Sequence, residues 1–275
     1  MAEAAVSPGL NQVKQIVAVA SGKGGVGKST TAINLALALA AEGNRVGIID
    51  ADIYGPSVPM MLGVPAGTRP EMIGGNLLAP VEAHGIKSMS MGYLVTEQTP
   101  MVWRGPMATG ALLQLLNQTL WGELDYLVVD MPPGTGDIQL TLAQQAQVAG
   151  AVIVTTPQDI ALLDARKAIE MFLKVKIPVL GIVENMAVHQ CSQCGHLEHI
   201  FGEGGGQKVA EEYGTRMLGA LPLERSIREQ VDSGAPSVVA DPDGAAASSY
   251  RDIARKIMGL LPPENTASGP EIVFE

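Results

Sequence analysis

The stretch that most narrows what this chain can fold into runs from residue 15 to residue 41. Residues 15–20 (QIVAVA) are a short apolar run with strand character, residues 21–27 are rich in glycine, and residues 29–41 form an Ala- and Leu-rich helical stretch. Between strand and helix, Gly22-Lys23-Gly24-Gly25-Val26-Gly27-Lys28-Ser29 fits the pattern G-x-x-x-x-G-K-S/T in the setting that pattern requires. Its glycines let successive backbone N–H groups point at one anion, and the helix N-terminus adds a favourable dipole. Lys28 is therefore expected to reach the β- and γ-phosphates of a nucleotide and Ser29 to bind Mg²⁺, with Thr30 completing the nucleotide-binding stretch.

A phosphate-binding strand–loop–helix unit favours a parallel sheet, and the rest of the chain agrees. Further buried strands are expected at 45–50 (RVGIID), 126–130 (YLVVD), 151–155 (AVIVT) and 179–183 (VLGIV), with a sixth at 217–221. Helices are expected at 105–118, 138–147, 160–175, 206–213, 226–233 and 249–260. This alternation predicts an α/β fold of the P-loop NTPase class, a mostly parallel twisted sheet with helices on both faces. Residues 63–104 break the rhythm; pieces at 77–81 and 85–89 suggest an antiparallel edge or an insertion. We expect a single ATPase domain over 13–261, a flexible segment over 1–12 and a flexible acidic tail over 262–275.

Composition bounds the partners. A net charge of −10 argues against nucleic acid as the main partner, because that affinity comes from Lys and Arg on phosphates. No apolar run is long enough to span a bilayer, and residues 1–11 lack a secretory pattern, so no membrane is expected and the location is expected to be cytoplasmic. With 47% hydrophobic residues the chain has material for one sizeable core.

Lys23 is the departure from an ordinary phosphate loop. The form K-G-G-x-G-K-S/T resembles the deviant Walker A ATPases, which include the nitrogenase iron protein, the Min and Par positioning ATPases and the Mrp/ApbC iron-sulfur carriers. The resemblance implies a homodimer in which Lys23 reaches phosphates bound by the partner, a catalytic role shared with Lys28 and Asp52. Asp50 and Asp52, two apart after the second strand, would project on the same side; by resemblance Asp50 approaches Mg²⁺ and Asp52 orients the attacking water. Asp130 ends a hydrophobic strand as a Walker B acid near Mg²⁺ does. The residues 130–137 (DMPPGTGD) then read as a γ-phosphate switch, with Asp137 serving it or capping the next helix. Asn185, closing the fifth strand, is implied to read adenine, and Pro222 and Leu223 are expected to pack against the base.

Cys191 and Cys194, the chain's two cysteines, sit in HQCSQCGHLEH at 189–199 with three of its four histidines. A C-x-x-C-G turn lets two thiolates hold one metal centre, but a four-coordinate centre wants four ligands. His196 and His199 would complete zinc within one chain; alternatively two chains would each give two thiolates to a bridging 4Fe–4S cluster; redox thiols are a third reading. The chain resembles the Mrp/ApbC group from about residue 15 to 260, which implies the bridging cluster, ATP with Mg²⁺, and apo iron-sulfur proteins as clients. Trp103-Arg104-Gly105-Pro106-Met107 shares in that resemblance. The rival reading is a positioning ATPase that binds membrane or DNA. The 13 methionines read as core filler, with Met89 and Met91 as candidates for a client groove.

Overall fold

The computed structural model describes residues 9–53, 55–94, 105–136, 139, 140, 143 and 145–263. The expected flexible segment 1–12, most of the tail 262–275, Arg104 and Asp137 lie largely or wholly outside them.

An eight-stranded sheet forms the spine. Its strands are β1 (Val13–Ala20), β2 (Val46–Asp50), β5 (Val81–Ala83), β6 (Ile86–Ser90), β7 (Leu124–Asp130), β8 (Gly150–Thr155), β9 (Val179–Glu184) and β12 (Met217–Ala220). Their order across the sheet is β12-β9-β8-β1-β7-β2-β6-β5, parallel throughout except for β5. The central strands are buried along their whole length, which is why they read as unbroken Val/Ile runs. β1 alternates its residues between two cores: Ile16, Ala18 and Ala20 face one, Val17 and Val19 the other.

The second of these cores packs α1 (Lys28–Ala41) and the last helix, α8 (Ala245–Leu260), against the sheet. The first packs α3 (Gly105–Gln118) and α4 (Asp159–Lys174) on the opposite face. α4 opens with Asp159 and closes with Lys174, charges that suit the two ends of a helix dipole. α8 begins four residues before the expected 249, since Ala245 to Ala247 are strong helix formers.

Residues 63–94 bear out the antiparallel edge, with β5 closing the sheet antiparallel to β6, but not the expected bounds. The run at 77–81 divides at Pro80, which has no N–H for a ladder: β4 (Leu77–Leu78) pairs with β3 (Met72–Ile73), whereas Val81 starts β5. β5 turns into β6 through His84 and Gly85, both at positive φ as a two-residue hairpin demands. β6 is no insertion; it lies parallel to β2 in the main sheet. Met89 and Met91 are buried in the core, so they line no client groove. Short α2 (Val58–Met61), α7 (Ser237–Ala240) and the hairpin of β10 (His189–Gln190) and β11 (Leu197–Glu198) carried no periodic signal in the sequence. Two further helices, α5 (Gly205–Glu212) and α6 (Arg225–Asp232), fall where expected, and the helix expected at 138–147 lies partly outside the described residues.

Consecutive strands β7 and β8 lie on either side of β1, so the strand order reverses there. Open parallel sheets bind ligands in the crevice outside the carboxyl ends of such strands. The loop after β1 stands at that crevice. No helix among the described residues is long and apolar enough to cross a membrane.

Candidate functional site

The loop from Gly22 to Ser29 depends on glycine at two close approaches. A Cβ on Gly22 would sit 2.0 Å from the Asp164 carbonyl oxygen of α4. Gly27 has φ +84°, and its Cβ would stand 2.1 Å from Asn185 Nδ2. That Nδ2 donates to Val26 O at 2.9 Å, so Asn185 braces the loop from the end of β9. Ser21 Oγ donates to Lys23 O at 2.9 Å and holds the loop's first turn.

Lys28 is buried, with Nζ 2.5 Å from Asp130 Oδ1 and 3.1 Å from Ser29 Oγ. Asp130 Oδ2 is buried and has no hydrogen-bond partner among the described residues. Burial pushes the Asp130 carboxyl above its usual range, against the pull of the Lys28 ammonium and the Ser29 hydroxyl. An orphaned carboxylate oxygen beside a serine hydroxyl is a hard-oxygen donor set, and it fits Mg²⁺.

Asp50 lies opposite Asp130 in the register of β2 and β7. Its Oδ1 accepts the Asp52 N–H at 3.1 Å, and its Oδ2 accepts the N–H groups of Ser57 (3.0 Å) and Val58 (3.1 Å) and the Ser90 hydroxyl (3.2 Å). Burial, followed by the Asp130 carboxylate, pushes its carboxyl up to about 7 against those donors. Asp50 therefore shapes the 51–58 turn, and Ser90 was missed because nothing in the sequence shows that β6 lies beside β2. Asp52, half-buried, lines a cavity of about 200 Å³ with Lys23, Gly24, Gly25, Gly27, Lys28, Ser29, Thr30 and Pro133. The Lys23 side chain meets no carboxylate among the described residues.

The segment after Asp130 rests on the loop. Met131 N–H donates to Val19 O, and Gly134 N–H, at φ +99°, donates to Ser21 O, each at 3.0 Å. Gln139 Nε2 holds Pro133 O at 2.7 Å, a brace that sequence reasoning passed over because Gln139 resembles any other helical polar residue. Pro222 and Leu223 are half-buried and do not line the cavity. They are tied to the end of β9, where Leu221 N–H donates to Glu184 O and Leu223 N–H to Val188 O.

The cysteines stand in the turn of the β10–β11 hairpin. Gly195 N–H donates to Cys191 O at 2.8 Å and Cys191 N–H to His196 O at 2.9 Å, closing a knuckle in which Gly195 takes φ +73°. The backbone N–H of Cys194 lowers the Cys191 thiol most, then that of Gln193 and the Cys194 thiol, which favours thiolate. Cys191 is half-buried, Cys194 exposed, and both are free. Among the described residues no group of three His, Cys, Asp or Glu is placed to hold a metal ion. The set for zinc within one chain, Cys191 and Cys194 with His196 and His199, is therefore not assembled among the described residues; His199 Nδ1 lies 2.8 Å from Ala187 O and its Nε2 3.7 Å from Glu203.

A phosphate loop at the reversal point of a parallel sheet, with its lysine paired to a buried acid at the end of a strand, defines a P-loop NTPase that acts as an ATPase. Residues 12–258 match the NUBPL iron-transfer P-loop NTPases of the ParA group, and the chain belongs to that family. An iron-sulfur cluster carrier protein of Pseudomonas fragi is 67% identical over 247 residues, 90% of this chain and 86% of the relative. The mouse iron-sulfur cluster transfer protein NUBPL is 53% identical over 251 residues, 90% of this chain and 78% of that protein. A nucleotide-binding protein of Archaeoglobus fulgidus, solved with ADP and with cobalt found in it, is 38% identical, with a TM-score of 0.75 over 88% of this chain and 94% of its own. The cell-division ATPase MinD of Pyrococcus furiosus shares the fold alone, at 22% identity and a TM-score of 0.68 over 90% of this chain and 99% of its own.

Proposed function

We propose that this ATPase carries a 4Fe–4S cluster as cargo between two copies of the chain and hands it to apo iron-sulfur proteins in the cytoplasm. The observation that carries the proposal is the hairpin: two thiols, one of them predisposed to thiolate, with no third ligand beside them among the described residues. A cluster wants four ligands, and a second copy supplies the missing two. The relatives named as an iron-sulfur cluster carrier and an iron-sulfur cluster transfer protein support the same reading.

In the ATPase cycle, Lys28 leaves Asp130 for the β- and γ-phosphates and neutralises them. Ser29 and Asp130 would hold Mg²⁺, which would supply charge neutralisation at the phosphates. Asp50 would act on the Mg²⁺ site only through the turn it organises, because its oxygens already hold four protein donors. Asp52 orients the attacking water, and Lys23, without an ion-pair partner in its own chain's described residues, reaches the phosphates of the other copy. Asn185 Oδ1 is the amide atom left to accept from adenine, with Pro222 and Leu223 on the base side. The positioning-ATPase alternative shares the Lys23 form of the phosphate loop and, at 22% identity, the fold, but it gives the paired thiols of the β10–β11 hairpin no role.

Anaerobic reconstitution with iron and sulfide tests the proposal. The wild-type chain should take up about two irons per chain, four per pair, with the visible absorption of a cluster. Cys191→Ser and Cys194→Ser should each lose that iron and keep nucleotide affinity within about twofold, since neither thiol touches the phosphate loop. Iron retained in full by both variants would reject it.

A further inference from the structure

The two histidines flanking the cysteine hairpin turn their Nδ1 atoms onto carbonyls. His189 Nδ1 lies 3.0 Å from Leu223 O, and His199 Nδ1 lies 2.8 Å from Ala187 O. A carbonyl only accepts, so each Nδ1 carries the proton. Both carbonyls belong to one laced pair of segments, in which Ala187 N–H donates to Leu221 O at 2.9 Å and Leu223 N–H donates to Val188 O at 2.8 Å.

The lacing starts at the phosphate loop. Asn185 Nδ2 holds Val26 O, its backbone N–H holds Thr155 O at 2.8 Å, and Met186 at φ +57° turns the chain out of β9 toward the hairpin. The knuckle's own hydrogen bonds join Cys191 to Gly195 and His196, inside the hairpin. Among the described residues, the side-chain hydrogen bonds between the cysteine hairpin and the body of the protein are those of the two imidazoles.

We infer that His189 and His199 are positioning residues that fasten the cysteine hairpin to segments 185–188 and 221–223, so that nucleotide held by the phosphate loop sets where the two thiols stand. The inference rests on the hairpin being the cargo site proposed above. It assigns two of the three histidines of that crowded motif to a mechanical role and leaves cargo binding to the thiols.

The test uses the full chain, reduced and anaerobic, and follows alkylation of Cys191 and Cys194 by iodoacetamide with and without MgATP. Zinc affinity is measured alongside by competition with a chromophoric chelator. In the wild type, MgATP should change the alkylation rate by about fivefold or more, the usual scale of coupling between sites. His189→Ala and His199→Ala should cut that response to less than about twofold while zinc affinity stays within about a hundredfold, the upper cost of an outer contact. His189→Asn, whose amide N–H can still donate to Leu223 O, should restore the response.

An unchanged response in the alanine variants, no response in the wild type, or no recovery in His189→Asn would each overturn the inference. A zinc affinity lowered by more than about a hundredfold would also overturn it, because that is the scale of a lost ligand. If the wild type takes up no iron yet shows the histidine-dependent response, the cargo reading fails and the positioning role stands.

Discussion

At the scale of single residues, the site depends on how close backbone is allowed to come. Gly27 shows this most sharply, because positive φ and the Asn185 amide both exclude a Cβ. Gly27→Ala places an L-residue in the left-handed region at about 1–2 kcal/mol and pushes Asn185 off Val26. Nucleotide affinity, read by calorimetry, should fall about tenfold or more with little change in secondary structure by circular dichroism. Such residues were legible from spacing alone, since the G-K-S pattern names its own positions. Asp50 and Asp130 were legible as acids at strand ends, but their division of labour was not. It depends on three backbone N–H groups and the Ser90 hydroxyl converging on Asp50 while Asp130 Oδ2 keeps none.

At the scale of elements, β9 and its continuation join the two halves of the chemistry. The strand was plain in the sequence because a doubly buried parallel strand is an unbroken apolar run. The two-residue strands β10 and β11 were not, since a hairpin that short has no period to read; only the crowding of Cys and His marked the place. Asn185→Ala tests the junction. It removes the donor to Val26 O and leaves that buried carbonyl short of a partner, at about 1–3 kcal/mol. Binding of magnesium pyrophosphate should weaken through the loosened loop, and MgATP should weaken further through loss of the adenine contact. Equal losses for the two ligands, measured by titration, would take the base contact away from Asn185 and leave it a brace alone.

At the scale of the whole molecule, one sheet gathers the phosphate loop, the 130–136 segment and the exit from β9 at the carboxyl ends of its strands. The fold class followed from alternating strands and helices, but strand order did not. β7 lies between β1 and β2, and β6 beyond β2, because of long-range pairing that no local pattern encodes. Nor does any local pattern encode a second copy of the chain. That copy is argued from two features incomplete among the described residues, a Lys23 lining the phosphate cavity without an ion-pair partner and a thiol pair short of ligands. Native mass spectrometry of the anaerobically reconstituted protein tests the sharing of cargo most directly. The account predicts a species of two chains with one 4Fe–4S cluster, lost in Cys194→Ser; a complete cluster on a single chain would contradict it.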